Sequence, residues 1–301
     1  MRITTLDQWP EGLVPEVLKA PRHRRTKRQM QTLRDQLFAI IEKDQPVGVR
    51  QVFYRMAVPG YVPKTEASYR VVGRLLVQMR KDGIIPFSWI SDNTRWIRKP
   101  ATYSSAEEAL LNVKTTYRQD LWRDQPVYVE VWCEKDALAG VIKQETYPYQ
   151  VPLMVSRGFS SLSYIYTVAE EIKRLNKPAY IYYFGDHDPS GLKIERAIRK
   201  NLREFASDVE IHFQRVSVLP EQIKTLNLPT RPTKKMKNPH AKGFKGPSVD
   251  LDAIPATTLR AMVRKCIERH IDQHALSVTR AAEASERELF TKLVKGLHKK
   301  Q

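Results

Sequence analysis

Asp186 and Asp188 stand two residues apart in GDHDPSG, Gly185–Gly191, directly after the apolar run Tyr180–Phe184. In an extended chain that spacing points both carboxylates to one side. Two carboxylates at the end of a buried strand repel each other unless a cation lies between them. Oxygen donors with little else nearby suit Mg²⁺ better than a softer metal, with Mn²⁺ able to substitute. The same spacing also serves an Asp-rich turn that caps a helix, and taken alone it fits that use better. A third carboxylate shifts the balance. Glu134 lies in VYVEVWCEKDALAGVI, Val127–Ile142, where strand alternation gives way to a helix beginning near Asp136. If both runs belong to one parallel sheet, Glu134, Asp186 and Asp188 converge outside its carboxyl edge, where such sheets bind ligands.

The elements that must deliver these residues follow from periodicity. Val127, Val129, Val131 and Cys133 alternate with Tyr128, Glu130, Trp132 and Glu134, as a strand requires. Val151–Ser156, Ala179–Phe184 and Val209–Val218 read as further strands, with helices over Leu162–Leu175 and Gly191–Phe205. Strands alternating with helices predict an α/β unit whose mostly parallel sheet is covered on both faces. Upstream, helices are predicted over 29–43, Val49–Ala57 and Glu66–Lys81, then a strand over Ile84–Ile90. Three short helices and a β segment predict an α+β winged helix-turn-helix. Arg70, Arg74 and Arg80 of the third helix would face a DNA groove. Ser105–Trp122 reads as an amphipathic connector, opened by a capping box of Ser105 and Glu108. The expected organisation is a basic arm (1–28), a winged-helix domain (29–100), a connector (101–124) and a metal-binding domain (125–301). The last contains a basic loop (228–247) and two further helices, the first with Leu259, Val263 and Cys266 on one face.

Charge names the class of partner. Lys and Arg total 51 against 33 Asp and Glu, a net +18. An excess that large points to a polyanion, double-stranded DNA first and an anionic lipid surface second. Arg24, Arg25, Lys27 and Arg28 of the arm, and Arg231, Lys234 and Lys235 of the basic loop, are expected on phosphates. A solvated arm and a solvated loop are the alternative. No apolar run is long enough to span a bilayer, and the N-terminal sequence does not read as a signal peptide. Cys133 and Cys266 provide neither a disulfide framework nor zinc-ligand spacing, so a cytoplasmic, nucleoid-associated protein is expected.

CEKDAL at 133–138 followed by GDHDPSG at 185–191 resembles the Toprim domain of topoisomerases, primases and some nucleases. VRQVFY at 49–54, ahead of such a domain, resembles the catalytic helix of the topoisomerase VI A subunit and of the meiotic double-strand-break protein. SVDLDAI at 248–254 is similar to the acidic segment that follows the Asp-x-Asp loop in those proteins. The match covers roughly 29–263, and the compact size most resembles the Mini-A group found in mobile elements.

The resemblance implies a catabolite-activator-like winged helix followed by a Toprim domain. It implies that Tyr54 attacks DNA phosphorus to form a 5′-phosphotyrosyl intermediate, and that Glu134, Asp186, Asp188 and Asp250 serve the metal. It further implies a homodimer straddling DNA, with tyrosine and metal contributed by different protomers. No Walker A motif is present, so ATP-driven strand passage would fall to a separate ATPase subunit. Relatives carry Arg-Asp before the aromatic pair, where this chain has Arg50-Gln51, and usually Glu in the place of Asp250.

The chemistry of Tyr54 can also be argued from the residues. A phenol titrating near ~10 needs a cation or a base to attack at neutral pH. Arg50, one helical turn earlier on the same face, can stabilise phenolate or orient a phosphate. The competing use of Tyr54 is as a core aromatic. Three functions follow: a tyrosine- and Mg²⁺-dependent DNA-cleaving enzyme, a Toprim nuclease of plasmid-defence type that cuts with metal-bound water, and a non-catalytic DNA-binding module. The full set of carboxylates weighs against the third.

Overall fold

The computed structural model describes residues 26–91, 100–158, 162–233, 244 and 246–298. Arg24, Arg25, Lys234 and Lys235 lie outside them. Strands β1 (Tyr128–Cys133), β2 (Leu153–Val155), β3 (Ala179–Phe184) and β4 (Ile211–Ser217) form an all-parallel sheet in the order β2-β1-β3-β4. β1 and β3 pair from Tyr128 opposite Ala179 to Cys133 opposite Phe184, so Glu134 and Gly185 leave the sheet side by side. The chain runs from β1 outward to β2, then returns to the other side of β1 for β3. The strand order therefore reverses between β1 and β3, and ligand crevices form at such a switch point.

Both faces of the sheet are covered, as the apolar runs require. Trp132, Ile181 and Tyr183 pack against α6 (Leu162–Leu175) and α7 (Pro189–Phe205). Val131, Cys133 and Phe184 pack on the opposite face with α5 (Ala139–Thr146) and α9 (Ala256–Glu268). That second cluster continues without a break into three N-terminal helices, α1 (Lys27–Asp44), α2 (Val49–Ala57) and α3 (Glu66–Lys81), through Leu37, Ile41, Met56, Leu76 and Met79.

Several boundaries differ from the sequence expectation. Helix α1 starts at Lys27 because Thr26 and Gln29 form a reciprocal capping box, which places Lys27 and Arg28 on an exposed first turn and not in an arm. The strand expected over Ile84–Ile90 is instead a 3₁₀ turn, Phe87–Trp89. Pro86 lacks the donor a ladder needs, Phe87 is 67 % exposed, and Trp89 folds back onto Phe38. A single parallel bridge, Val47 to Ile90, is all that joins this stretch to another strand-like segment among the described residues. The connector is also shorter: α4 spans Ala106–Thr116. Glu108 turns its carboxylate to Ser104, leaving the capping box half formed. Tyr117 then leaves the helix, its hydroxyl donating to Glu286 and its carbonyl accepting from Arg287. Both partners lie on α10 (Gln273–His298), against which α4 packs. A short α8 (Pro220–Thr225), not foreseen from periodicity, precedes the basic loop. No helix among the described residues is long and apolar enough to cross a membrane.

Candidate active site

The acidic loop begins where β3 ends, and two glycines make it possible. A Cβ on Gly185 would stand 2.8 Å from Glu134 Oε2, and one on Gly191 would stand 2.4 Å from the Asp186 carbonyl oxygen. Glu134 can therefore lie against the loop backbone, where the Asp186 amide donates to its Oε2 at 3.0 Å. Asp188 caps α7 by accepting from the Gly191 amide at 2.8 Å. Its other oxygen pairs with Arg231 at 3.0 Å. The capped turn and the acidic site are thus the same structure. The segment Ser248–Ile254 joins them through a backbone pairing of His187 with Val249. Its Leu251 amide donates to Asp186 Oδ1 at 2.7 Å.

Helix α2 packs onto the Leu251–Ala253 turn of this segment. Buried Gln51 donates to the Ile254 carbonyl at 3.1 Å and accepts from the Gly48 amide. It is a staple between the two halves of the chain. Fixed in this way, Tyr54 is buried with Phe53, yet its hydroxyl reaches Asp250 Oδ2 at 2.5 Å. Core packing and a polar contact coexist at one residue. Arg231 holds the other Asp250 oxygen at 3.0 Å. Lys135 sits between Asp252 at 2.5 Å, Asp186 at 2.9 Å and Asp250 at 3.8 Å. Arg50 lies over the Tyr69 ring and lines a cleft of about 450 Å³ with Arg80, Lys135 and Asp252.

Proximity sets the charge states. Burial, then Asp186 and Asp188, push Glu134 up to about 7. Burial also raises Asp186, against the pull of Lys135. For Asp250 burial is outweighed by Lys135, the Tyr54 hydroxyl, Arg231 and Arg50, so it stays below the usual carboxylate range. Burial and the bond to Asp250 raise Tyr54, while Arg50 and Lys135 oppose them. The hydroxyl is therefore a neutral phenol donating to a carboxylate. Burial would lower Lys135, but Asp252 and Asp186 outweigh it and keep it charged.

No protein-family model matches the sequence, and no curated protein matches it.

Glu134, Asp186 and Asp188 offer only carboxylate oxygens, and Glu134 is raised chiefly by its burial. That donor chemistry fits a hard divalent cation. Among the described residues no three His, Cys, Asp or Glu side chains gather closely enough to hold an ion in this conformation. Lys135 takes an oxygen of Asp186 and Arg231 one of Asp188 instead.

The predicted DNA-facing residues divide. Arg70 and Arg74 flank a groove of about 860 Å³ along the outer side of α3, with Tyr69, Gly73 and Val77. Arg80 is not with them. It donates to the Leu76 carbonyl and lies over Phe87, facing the cleft with Arg50. Six residues after Arg74, it comes round on another side of the helix. Arg231 pairs with Asp188 and Asp250 while its side chain stays 42 % exposed. Lys135 and Asp252 belong to the site without having been expected there. Their signal is closeness in sequence, Lys135 one residue after Glu134 and Asp252 two after Asp250.

Proposed function

We propose that this chain is a DNA-cleaving enzyme of topoisomerase VI A type, a winged helix joined to a Toprim domain, with Tyr54 as nucleophile. The observation that carries the reading is the Tyr54–Asp250 contact. It brings the hydroxyl of an N-terminal helix to the acidic edge of a parallel sheet. As the Tyr54 oxygen bonds to DNA phosphorus, its proton passes to Asp250. The bond to the 3′-oxygen breaks, and that oxygen takes a proton from solvent water while Asp250 returns its own to solvent, leaving a 3′-hydroxyl and a 5′-phosphotyrosyl ester. Arg50, across from Asp250 and Tyr54, stabilises the negative charge that develops at the phosphate. Glu134, Asp186 and Asp188 would hold Mg²⁺ or Mn²⁺, which would supply charge stabilisation at the reacting phosphate. Arg70 and Arg74 on α3 grip backbone phosphates of double-stranded DNA. The protein acts as a homodimer in the cytoplasm, at the nucleoid, and any strand passage needs a separate ATPase subunit.

The raised Tyr54 hydroxyl favours a second reading, a Toprim nuclease in which water attacks and Tyr54 is structural. Tyr54→Phe separates the two, because it keeps the ring and removes the attacking atom. Linear and supercoiled duplex DNA is incubated with Mg²⁺ or Mn²⁺ and quenched with denaturant. The wild type should leave protein on 5′ ends, and Tyr54→Phe should abolish both adduct and cleavage while folding normally. Free 5′-phosphate ends and undiminished cutting by Tyr54→Phe would overturn the tyrosine mechanism.

A further inference from the structure

Behind the acidic loop, the side chain of Arg215 of β4 is buried to 8 % exposure and uses all three guanidinium nitrogens. Nη1 pairs with Glu195 of α7 at 2.9 Å. Nη2 donates to the carbonyls of Gly185 at 2.9 Å and Asp186 at 2.5 Å. Nε donates to the Val218 carbonyl at 3.3 Å. Glu195 is in turn held by Arg199 at 3.0 Å.

These contacts fix the direction of two peptide planes. In a trans peptide the carbonyl and the next amide point opposite ways. With the Gly185 carbonyl held by Arg215 and by the Val218 amide at 2.8 Å, the Asp186 amide must point to the far side, where it meets Glu134 Oε2. With the Asp186 carbonyl held likewise, the His187 amide points at the Val249 carbonyl at 2.9 Å. The guanidinium also lies over Tyr183, whose hydroxyl reaches Glu134 Oε2 at 3.3 Å. Three routes thus lead from Arg215 to the front of the site, two ending on Glu134 and one on the segment that carries Asp250.

We propose that Arg215, aimed by Glu195, is a positioning residue that sets the Glu134 carboxylate and the Asp186 backbone for cation binding. The inference rests on the metal role proposed for Glu134 and Asp186. Outer partners that orient ligating carboxylates are commonly worth about 10–100-fold in metal affinity. A planar fork can hold two carbonyls and a carboxylate together, whereas a lysine ammonium is a point charge on a flexible stem. Arg215→Lys therefore keeps the charge and loses the geometry.

The test is Mn²⁺ binding to the full chain without DNA, followed by the electron paramagnetic resonance of free Mn²⁺. Arg215→Lys should weaken binding about tenfold or more. Glu195→Gln, which keeps the volume and removes only the charge that aims Arg215, should weaken it by less. Val263→Ala, a core truncation on the opposite face of the sheet, lowers stability without touching the loop and should bind Mn²⁺ like the wild type. Should Arg215→Lys fail to fold, Glu195→Gln carries the test. Loss of Mn²⁺ affinity in Glu134→Ala with none in the folded Arg215→Lys or Glu195→Gln would overturn the positioning role. Affinity unaffected by Glu134→Ala would instead overturn the metal site itself, and the positioning role with it.

Discussion

Single residues in this chain are read best where one side chain has both a packing and a chemical job. Glu130 is fully buried in β1, accepting from the Tyr128 hydroxyl at 2.7 Å and the Trp132 indole at 2.6 Å. Burial pushes it up to about 7, against those hydrogen bonds, from an ordinary 4.5. The fold therefore favours its protonated form. That stabilisation is complete below pH 4.5 and is lost as pH rises through 7, a difference on the order of 3 kcal/mol. Glu130→Gln cannot ionise. Urea melts should show it matching the wild type near pH 4.5 and exceeding it in stability at about pH 8. Equal pH slopes for the two proteins would show that Glu130 does not titrate across this range. The glutamate was legible as a strand residue but not as a buried acid, because alternation gives its face and not what covers that face. Tyr54 was legible as a core aromatic of α2. Its partner was not, because Asp250 lies 196 residues away and only the assembled sheet edge brings them together.

At the scale of elements, α2, α3 and α6, and the strands β1 and β3, follow the periodicity of the sequence closely, since each has one strongly apolar stripe or run. The Ile84–Ile90 stretch does not. It is apolar without alternating, and Pro86 stops it from joining a ladder. The acidic loop stands where the sequence places it, directly after the buried strand β3. Lys135 and Arg231, which pair with Asp186 and Asp188 of that loop, lie outside the periodic elements. Helix α3 carries a prediction of its own. Arg70 and Arg74, four apart, share its outer groove, while Arg80 faces elsewhere. Replacing Arg70 and Arg74 together by Ala should weaken binding to all duplex sequences. The slope of log affinity against log salt should fall by roughly 1.8, about 0.9 for each phosphate left without its arginine. Arg80→Ala should leave the slope unchanged while lowering cleavage. Fluorescence anisotropy over a salt series reads the slopes, a nicking gel reads the cleavage, and an unaltered slope in the double variant would remove α3 from the DNA interface.

At the scale of the molecule, one apolar cluster unites the N-terminal helices with one face of the sheet, and Tyr54 meets the acidic segment of its own chain. The topoisomerase VI A resemblance implies a site divided between two protomers, so the two arrangements predict opposite results in a mixing experiment. Tyr54→Phe and Glu134→Ala chains, refolded together, regenerate one complete site only if tyrosine and carboxylates come from different chains. The intrachain contact predicts no recovery. Single-strand nicking by the mixture would show that the site is shared. The Gln51 staple has a consequence for the order of events during synthesis. Its acceptor, the Ile254 carbonyl, lies 203 residues downstream. Helix α2 thus gains its last fixed partner only after most of the chain has left the ribosome, and closing so long a loop is slow. The proposed nucleophile stays unassembled on the nascent chain, and the proposed DNA-cleaving competence arrives only after residue 254 has been made.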